Sequence, residues 1–229
     1  MKQERKRAQE LVCIDHRVRE PQALIDSLTT GSHWVLIGSH DTGLKQMNAA
    51  LAACGGASVR IIAHGGPGAL LLGSRELNAD TLAAECEDAQ QIGKALGPDG
   101  DVQIYACEVG LRRQGRAFVD SLTTALEVPV AASSTPMGDA ELGGDWRLDV
   151  GQLRSRPLQR PEWHGLLGLT IKDVPQASPG RTSGEWRNDK AFAALRADGS
   201  VVTWGSGSSG GNSTAVAAAL DGTIDVTQV

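Results

Sequence analysis

The chain of 229 residues has room for one ordinary domain of roughly 150 residues and a second, smaller element. Hydrophobic residues make up 41% of the sequence and charged residues 21%, which is typical of a globular protein and excludes disorder throughout. The net charge of −5 excludes a global basic field, so we expect no nucleic acid partner. No apolar run approaches the roughly 20 residues that span a bilayer, so we expect no membrane insertion.

Residues 1–10 form a basic N-terminal extension, with four lysines or arginines between positions 2 and 7. The apolar run that follows, from Leu11 to Ile14, is too short for the core of a secretory signal peptide. The four cysteines include no CxxC pair, and the five histidines show no paired ligand spacing. We therefore expect no signal peptide, no metal and no cofactor, and the residues alone leave the localisation open.

Hydrophobic periodicity predicts alternating strands and helices up to residue 132. The predicted strands are residues 11–15, 34–37, 59–63, 102–106 and 128–132. The predicted helices are residues 21–30, 44–53, a helix from the cap at Asn78 to about residue 96 with an interruption of uncertain place, and 114–126. This alternation is typical of a three-layer α/β fold, in which helices cover both faces of a mostly parallel sheet.

The alternating pattern ends after the fifth predicted strand. Residues 133–144 are predicted as a loop and 146–150 as a last short strand. The predicted α/β domain is therefore residues 11–150, followed by a proline-rich linker over 151–180. Residues 191–204 contain two β-type runs joined by Asp198-Gly199, which predicts a hairpin. Because a single hairpin cannot bury its own face, residues 181–229 are predicted to be a partial β repeat unit.

Three ionisable residues each close a predicted strand: Asp15 the first, His64 the third and Cys107 the fourth. Ligands gather at the carboxyl ends of parallel strands, and these three strands are neighbours in the common doubly wound orders. The pattern predicts a thiol nucleophile, a general base and an orienting group. The alternative is that the histidine is a turn residue and the cysteine a packed core residue.

Backbone amides at these strand ends are candidates for binding an oxyanion. Gly65 and Gly66 follow the histidine and leave their N–H groups unshielded, so one of them can act together with the amide of Cys107. Glu108 stands beside the thiol and is placed to tune its pKa, although a charged residue at a strand end is usually only solvated. An activated Cys107 is expected to react with a thiol reagent faster than the other three cysteines.

Four blocks occur in order along the chain and carry a resemblance: IIAHGGPGALLLGSRELNADTL, GDVQIYACEVG, GRAFVDSLTTALEVPVAASS and ELGGDWRLD. They resemble the DUF4347 family over about residues 11–150, a bacterial domain found near the start of very large surface or secreted repeat proteins. The HG and AC elements are also similar to those of the caspase-like clan, including the CHAT peptidases and the self-cleaving cysteine domain of RTX toxins. The tail AFAALRADGSVVTWGSGSSGGNSTAV resembles one RCC1-like repeat.

The resemblance implies a caspase-like fold with its base at His64, its nucleophile at Cys107 and its oxyanion donors at the amides of Gly65 and Cys107. Asp15 is added to this set from geometry alone. Clan members that cut after Lys or Arg carry an acidic residue two positions before the cysteine, and Tyr105 stands there in this chain. Basic specificity is therefore not expected. The resemblance also implies a secreted or cell-surface protein that is exported without a signal peptide.

Three functions stay open on the sequence: a cysteine peptidase that processes its own chain, a catalytically inactive structural or interaction module, and an adhesin fragment. For the peptidase the expected substrate is a polypeptide, foremost its own linker, which it meets at high effective concentration. Cleavage is expected after Leu166 or Leu167, within Trp163-His-Gly-Leu-Leu-Gly-Leu169. The alternative is that these leucines simply pack against the domain.

Overall fold

The computed structural model describes residues 10–28, 31–158 and 161–168, and the strands 191–195 and 201–205. The chain divides into two compact units, residues 1–168 and 169–229. Residues 151–158 and 161–168, the described part of the stretch predicted as a linker, therefore belong to the first unit. The basic extension over residues 1–9 and the end of the linker lie outside the described residues.

The first unit is built on a six-stranded sheet. Its strands and those of a smaller sheet are β1 (Leu11–Asp15), β2 (His33–Ile37), β3 (Ser58–Ile62), β4 (Gly65–Gly66), β5 (Ala69–Leu72), β6 (Arg75–Asn78), β7 (Asp101–Tyr105), β8 (Val130–Ala132) and β9 (Val150–Gly151). The large sheet has the order β2-β1-β3-β7-β8-β9, and every neighbouring pair except β8 with β9 is parallel. The predicted α/β class and the parallel pairing of the third and fourth predicted strands are confirmed. The predicted strand over 146–150 is reduced to Val150–Gly151, since the chain before it is irregular.

The described helices are α1 (Pro21–Asp26), α2 (Gly43–Cys54), α3 (Ala79–Ala84), α4 (Cys86–Leu96) and α5 (Arg112–Leu126). Helices α2 to α5 cover one face of this sheet. Alternate strand residues such as Ile61 and Ile104 share one buried cluster with apolar residues of α2, α4 and α5. The predicted helix from Asn78 to residue 96 is two helices that meet at Glu85, and Asn78 caps the first of them. None of the described helices is long and apolar enough to cross a membrane.

The opposite face is covered by α1 and by irregular chain rather than by a full helical layer. Its buried cluster combines strand residues such as Ile62 and Tyr105 with Leu24 of α1. It also includes Trp163 and Leu167, which come from the end of the first unit. The chain expected to leave the domain as a linker therefore completes one of its two cores.

Polar side chains of the strands hold this returning chain in place. Asp101 Oδ2 accepts hydrogen bonds from the amides of Arg154 (2.9 Å) and Ser155 (2.8 Å). The Tyr105 hydroxyl accepts one from the amide of Leu158 (2.5 Å). Buried polar groups are stable only when they are paired, so these strand residues are satisfied by backbone that the sequence pattern did not place there.

The smaller sheet is an antiparallel meander of β4, β5 and β6, which follows directly on His64. The sequence predicted only a glycine-rich turn and a short apolar run at this place. In the second unit, β10 (Ala191–Leu195) pairs antiparallel with β11 (Val201–Gly205), so the predicted hairpin is present. The glycine- and serine-rich tail beyond it lies outside the described residues, and the RCC1-like repeat stays a prediction.

A close helix contact makes Gly93 a test of this fold. A Cβ at Gly93 would overlap the carbonyl oxygen of Leu126, where α4 crosses the end of α5. We expect Gly93→Ala to lower the free energy of unfolding by about 1–3 kcal/mol, because backbone cannot move aside easily. The exposed neighbour variant Lys94→Ala should change it by less than about 0.5 kcal/mol. Equal urea midpoints for the two variants would contradict the contact.

Candidate active site

His64 and Cys107 lie at matched positions on the carboxyl edge of the sheet. The register pairs Ile62 with Tyr105, and the amide of Ala63 continues this pairing with a 3.2 Å hydrogen bond to the Tyr105 carbonyl. His64 and Cys107 each follow two residues later, on the face that carries Ile62 and Tyr105. Both residues are buried, with 3% of each exposed. The topology therefore brings the two residues to one edge of the sheet, and contact or proton transfer between the imidazole and the thiol stays a prediction.

The imidazole of His64 is held by a backbone carbonyl. Its Nε2 lies 3.3 Å from the carbonyl oxygen of Arg17, just past the end of β1. A carbonyl can only accept, so in this hydrogen bond Nε2 carries the proton and Nδ1 is the basic nitrogen.

The thiol of Cys107 is hydrogen-bonded to the backbone of Met137. The Met137 amide donates to Sγ at 2.9 Å, and Sγ lies 3.4 Å from the Met137 carbonyl oxygen, to which it donates. Burial raises the pKa of Cys107 to about 11, and the nearby charge of Glu108 also raises it, whereas the Met137 amide lowers it. The thiol is therefore neutral at pH 7 in this conformation. Desolvation outweighs the hydrogen bond in this conformation, and the expected reactivity of an activated Cys107 stays a prediction.

The two amides named as oxyanion donors share a single acceptor. The amide of Gly65 lies 2.9 Å, and that of Cys107 3.0 Å, from the carbonyl oxygen of Leu167. Gly65 suits this place because a Cβ there would lie 2.8 Å from Ala106 Cβ and from Val109 Cγ2. Two amide donors that converge on one carbonyl oxygen have the arrangement of an oxyanion hole.

Residues 166–168 lie in this site as a short strand of isolated β-bridges, preceded by a bend at Gly165. The Leu167 amide donates to the Met137 carbonyl (2.9 Å), and the Asp139 amide donates to the Gly165 carbonyl (2.8 Å). An antiparallel bridge joins Gly138 to Leu166, and a parallel bridge joins Gly65 to Gly168. Gly138 has φ +136°, and a Cβ there would overlap the Gly165 carbonyl oxygen. This ladder is the way in which sheet edges bind an added peptide strand.

The side chain of Leu167 is fully buried in an apolar environment. It belongs to the cluster that contains Tyr105, Cys107 and Met137. The Tyr105 hydroxyl donates to Gln103 Oε1 (2.7 Å), and burial raises the pKa of Tyr105 to about 12. Tyr105 is therefore neutral, and the surroundings of Leu167 suit an uncharged side chain.

Asp15 and Glu108 stand apart from this arrangement. Asp15 accepts hydrogen bonds from the amides of Arg17 (3.0 Å) and Gly73 (2.8 Å). The hydrogen bond described above for the His64 ring goes to the Arg17 carbonyl. Glu108 is half-buried with φ +58°, and its amide donates to the Thr135 carbonyl (3.1 Å). Asp15 thus holds the segment that carries Arg17, while Glu108 turns the chain after the thiol.

Sequence reasoning missed the groups that act through their backbone. Met137 and Arg17 contact the thiol and the imidazole through main-chain atoms, which any residue type supplies. Asp139 lies in a predicted loop and carries no motif that would single it out. Gly138 was the available signal, since a glycine in a loop past a strand end often marks a close approach of backbone.

The fold and the site define a class of protein: a parallel α/β domain with a buried thiol, an imidazole and two convergent amides at one strand edge. The sequence matches the family described as Domain of unknown function (DUF4347) over residues 11–163, and the chain belongs to this family. No curated protein matches the sequence. The family supplies no activity, so any functional argument depends on the geometry of the site.

The closed site makes a prediction about thiol reactivity. In the intact chain we expect iodoacetamide at pH 8 to modify exposed Cys86 much faster than Cys107, because Cys107 is buried and its pKa is raised. Gly165→Val should speed the modification of Cys107 at least about 10-fold, since a Cβ there would lie 2.6 Å from the Trp163 ring and would displace the strand.

Mass spectrometry of peptides from quenched samples measures each rate, and the denatured chain gives the reference at which all four cysteines are accessible. Equal rates for Cys107 and Cys86 in the intact chain would contradict the closed site.

Proposed function

We propose that this chain is a cysteine peptidase that cleaves its own polypeptide between Leu167 and Gly168. One observation carries the proposal: the amides of Gly65 and Cys107 both donate to the Leu167 carbonyl oxygen. The first compact unit also ends at Gly168, so the cut would separate it from the rest of the chain.

In the proposed reaction, Cys107 Sγ attacks the carbonyl carbon of Leu167 while His64 Nδ1 takes the thiol proton. The resulting oxyanion stays between the amides of Gly65 and Cys107, where each donor is worth about 10²- to 10³-fold in rate. His64 then gives the proton to the nitrogen of Gly168 as the peptide bond breaks. Water, deprotonated by His64, hydrolyses the thioester, so that Leu167 gains a carboxylate and the Cys107 thiol is restored.

The raised pKa of Cys107 makes proton transfer the demanding part of this reaction. Sγ starts as a neutral thiol bonded to Met137, so it must leave these hydrogen bonds and lose its proton as it attacks. Confinement in one chain offsets this barrier, because a positioned intramolecular group reacts at a very high effective molarity. A slow rate is sufficient for an enzyme that cuts a single bond of its own.

A second candidate function is that of a catalytically inactive module. The hydrogen bonds of Cys107 to Met137 and its raised pKa favour this interpretation, since they are also those of a packed core cysteine. Residues 161–168 would then be a permanent closing strand. The two candidates differ in one measurable respect, which is whether the Leu167–Gly168 bond ever breaks.

Incubation of the purified chain tests cleavage directly. We expect products covering residues 1–167 and 168–229, because the Leu167 carbonyl is the group bound by both amides. Cys107→Ala and His64→Ala should stay intact, and Cys86→Ala, which removes an exposed thiol, should cleave like wild type. Intact-mass and terminal-peptide spectrometry identify the new ends. A terminus after Leu166, Arg154, Arg156 or Arg160, or cleavage in Cys107→Ala, would overturn the proposal.

The apolar environment of Leu167 predicts which residues are tolerated there. Leu167→Met should cleave within about 5-fold of the wild-type rate, since the two side chains have similar volume. Leu167→Asp should cleave at least about 100-fold more slowly, because a buried unpaired charge costs several kcal/mol. The control Leu166→Asp changes a half-buried side chain and should have a smaller effect. Half-times of conversion measure the rates, and a larger loss for Leu166→Asp would contradict the assignment.

A further inference from the structure

An ion pair lies next to the proposed cleavage site on the bound strand. His164 Nδ1 donates to Asp139 Oδ2 at 2.7 Å, three residues before Leu167. The Asp139 side chain is only 9% exposed, whereas that of His164 is 84% exposed. An imidazole so open to solvent adds little to core packing, so this contact is chiefly one of charge.

Asp139 is fixed before it meets the histidine. Its Oδ1 accepts a hydrogen bond from the Glu141 amide (3.0 Å), and its own amide donates to the Gly165 carbonyl (2.8 Å). One residue therefore binds two successive positions of the strand, the side chain of His164 and the backbone of Gly165. Such a two-point contact fixes the register of an extended peptide.

The charged groups near His164 favour its protonated form. The hydrogen bond and charge of Asp139 raise the pKa of His164, desolvation opposes this with a smaller effect, and the charges of Glu141 and Glu20 add smaller increases still. Asp139 is therefore the acid that chiefly sets the charge of this side chain.

We infer that Asp139 is a specificity-determining residue, which selects a cationic side chain three positions before the cleaved leucine. The inference rests on the proposed peptidase function and names its substrate class: an extended peptide with His, Lys or Arg at that position, followed by glycine and a leucine pair. It also explains the choice between Leu166 and Leu167. With Leu166 in the place of Leu167, the cation would leave Asp139 and Trp163 would lie opposite it.

Self-cleavage rates of His164 variants test the selection. His164→Lys should cleave within about 3-fold of wild type, His164→Ala about 3- to 5-fold more slowly, and His164→Glu at least about 10-fold more slowly, because like charges repel. Combining His164→Glu with Asp139→Lys reverses the pair and should recover the rate to within about 3-fold of wild type. Glu162→Gln, an exposed neighbour on the same strand, is the matched control and should not change the rate. Equal rates for His164→Lys and His164→Glu, or no recovery in the reversed pair, would overturn the inference.

The pH dependence of the cleavage rate gives an independent test of whether a positively charged His164 helps the strand to bind. Because the pKa of His164 is raised in the bound strand, the ion pair helps binding below the ordinary histidine pKa of about 6.5 and is lost as pH rises through the raised value. The cleavage rate of His164→Lys should therefore not fall across that window, and the ratio of wild-type to His164→Lys rate should fall with rising pH. A ratio that does not change with pH would contradict the inference.

An NMR titration separates the failure of this inference from that of the peptidase proposal. In Cys107→Ala, which cannot cleave, the His164 pKa should lie above its ordinary value and should fall in the added presence of Asp139→Asn, with Glu20 and Glu141 still in place. If the wild-type chain is not cleaved, the peptidase proposal is refuted. The titration still decides whether Asp139 recognises a cation on the strand. An unchanged His164 pKa in Asp139→Asn would overturn the recognition itself.

Discussion

Two backbone amides that share one carbonyl oxygen are the constraint on which this structure depends. The amides of Gly65 and Cys107 converge because β3 and β7 are parallel neighbours in register, and because β4 turns the chain directly after His64. Their acceptor, the carbonyl of Leu167, belongs to the segment that covers the second face of the sheet. The same chain is therefore a part of the core and the proposed substrate, so formation of the site and completion of the fold are one event.

This dual role sets up a conflict between burial and reactivity. Covering the sheet excludes water from Cys107, which raises the pKa of the thiol and disfavours the thiolate that attack requires. The same exclusion of water strengthens the hydrogen bonds from the two amides to a developing oxyanion, since charge interactions are stronger in a medium of low dielectric constant. In the proposed reaction, the buried imidazole would resolve this conflict by taking the thiol proton only as the new bond forms. The hydrogen bond to the Arg17 carbonyl fixes one nitrogen of that imidazole.

The sequence was sufficient for the parts of the fold that regular periodicity encodes. The parallel strands, the main helices and the placement of His64 and Cys107 at one edge follow from apolar runs and from what ends each run. The second face did not follow, because its cover is irregular chain held by single contacts, such as that of Asp101 with the Ser155 amide. A signal was present in Asp101 and Gln103, two polar residues on one face of a buried strand, since such residues require partners. The roles of Met137 and Arg17 had no signal, because every residue type supplies the same main-chain atoms.

The way in which the covering segment is attached determines what the proposed cut would leave behind. Trp163 is anchored by its Nε1 donating to the Arg19 carbonyl at 2.8 Å, and burial of Leu167 stabilises the segment by roughly 2 kcal/mol. These contacts all lie before the Leu167–Gly168 bond, so breaking that bond removes none of them. The new carboxylate of Leu167 would stay beside the amides of Gly65 and Cys107, where two N–H donors favour a negative charge. On the proposed mechanism the first product would therefore inhibit itself, and the peptidase would act once, on the one bond that its own fold places in the site.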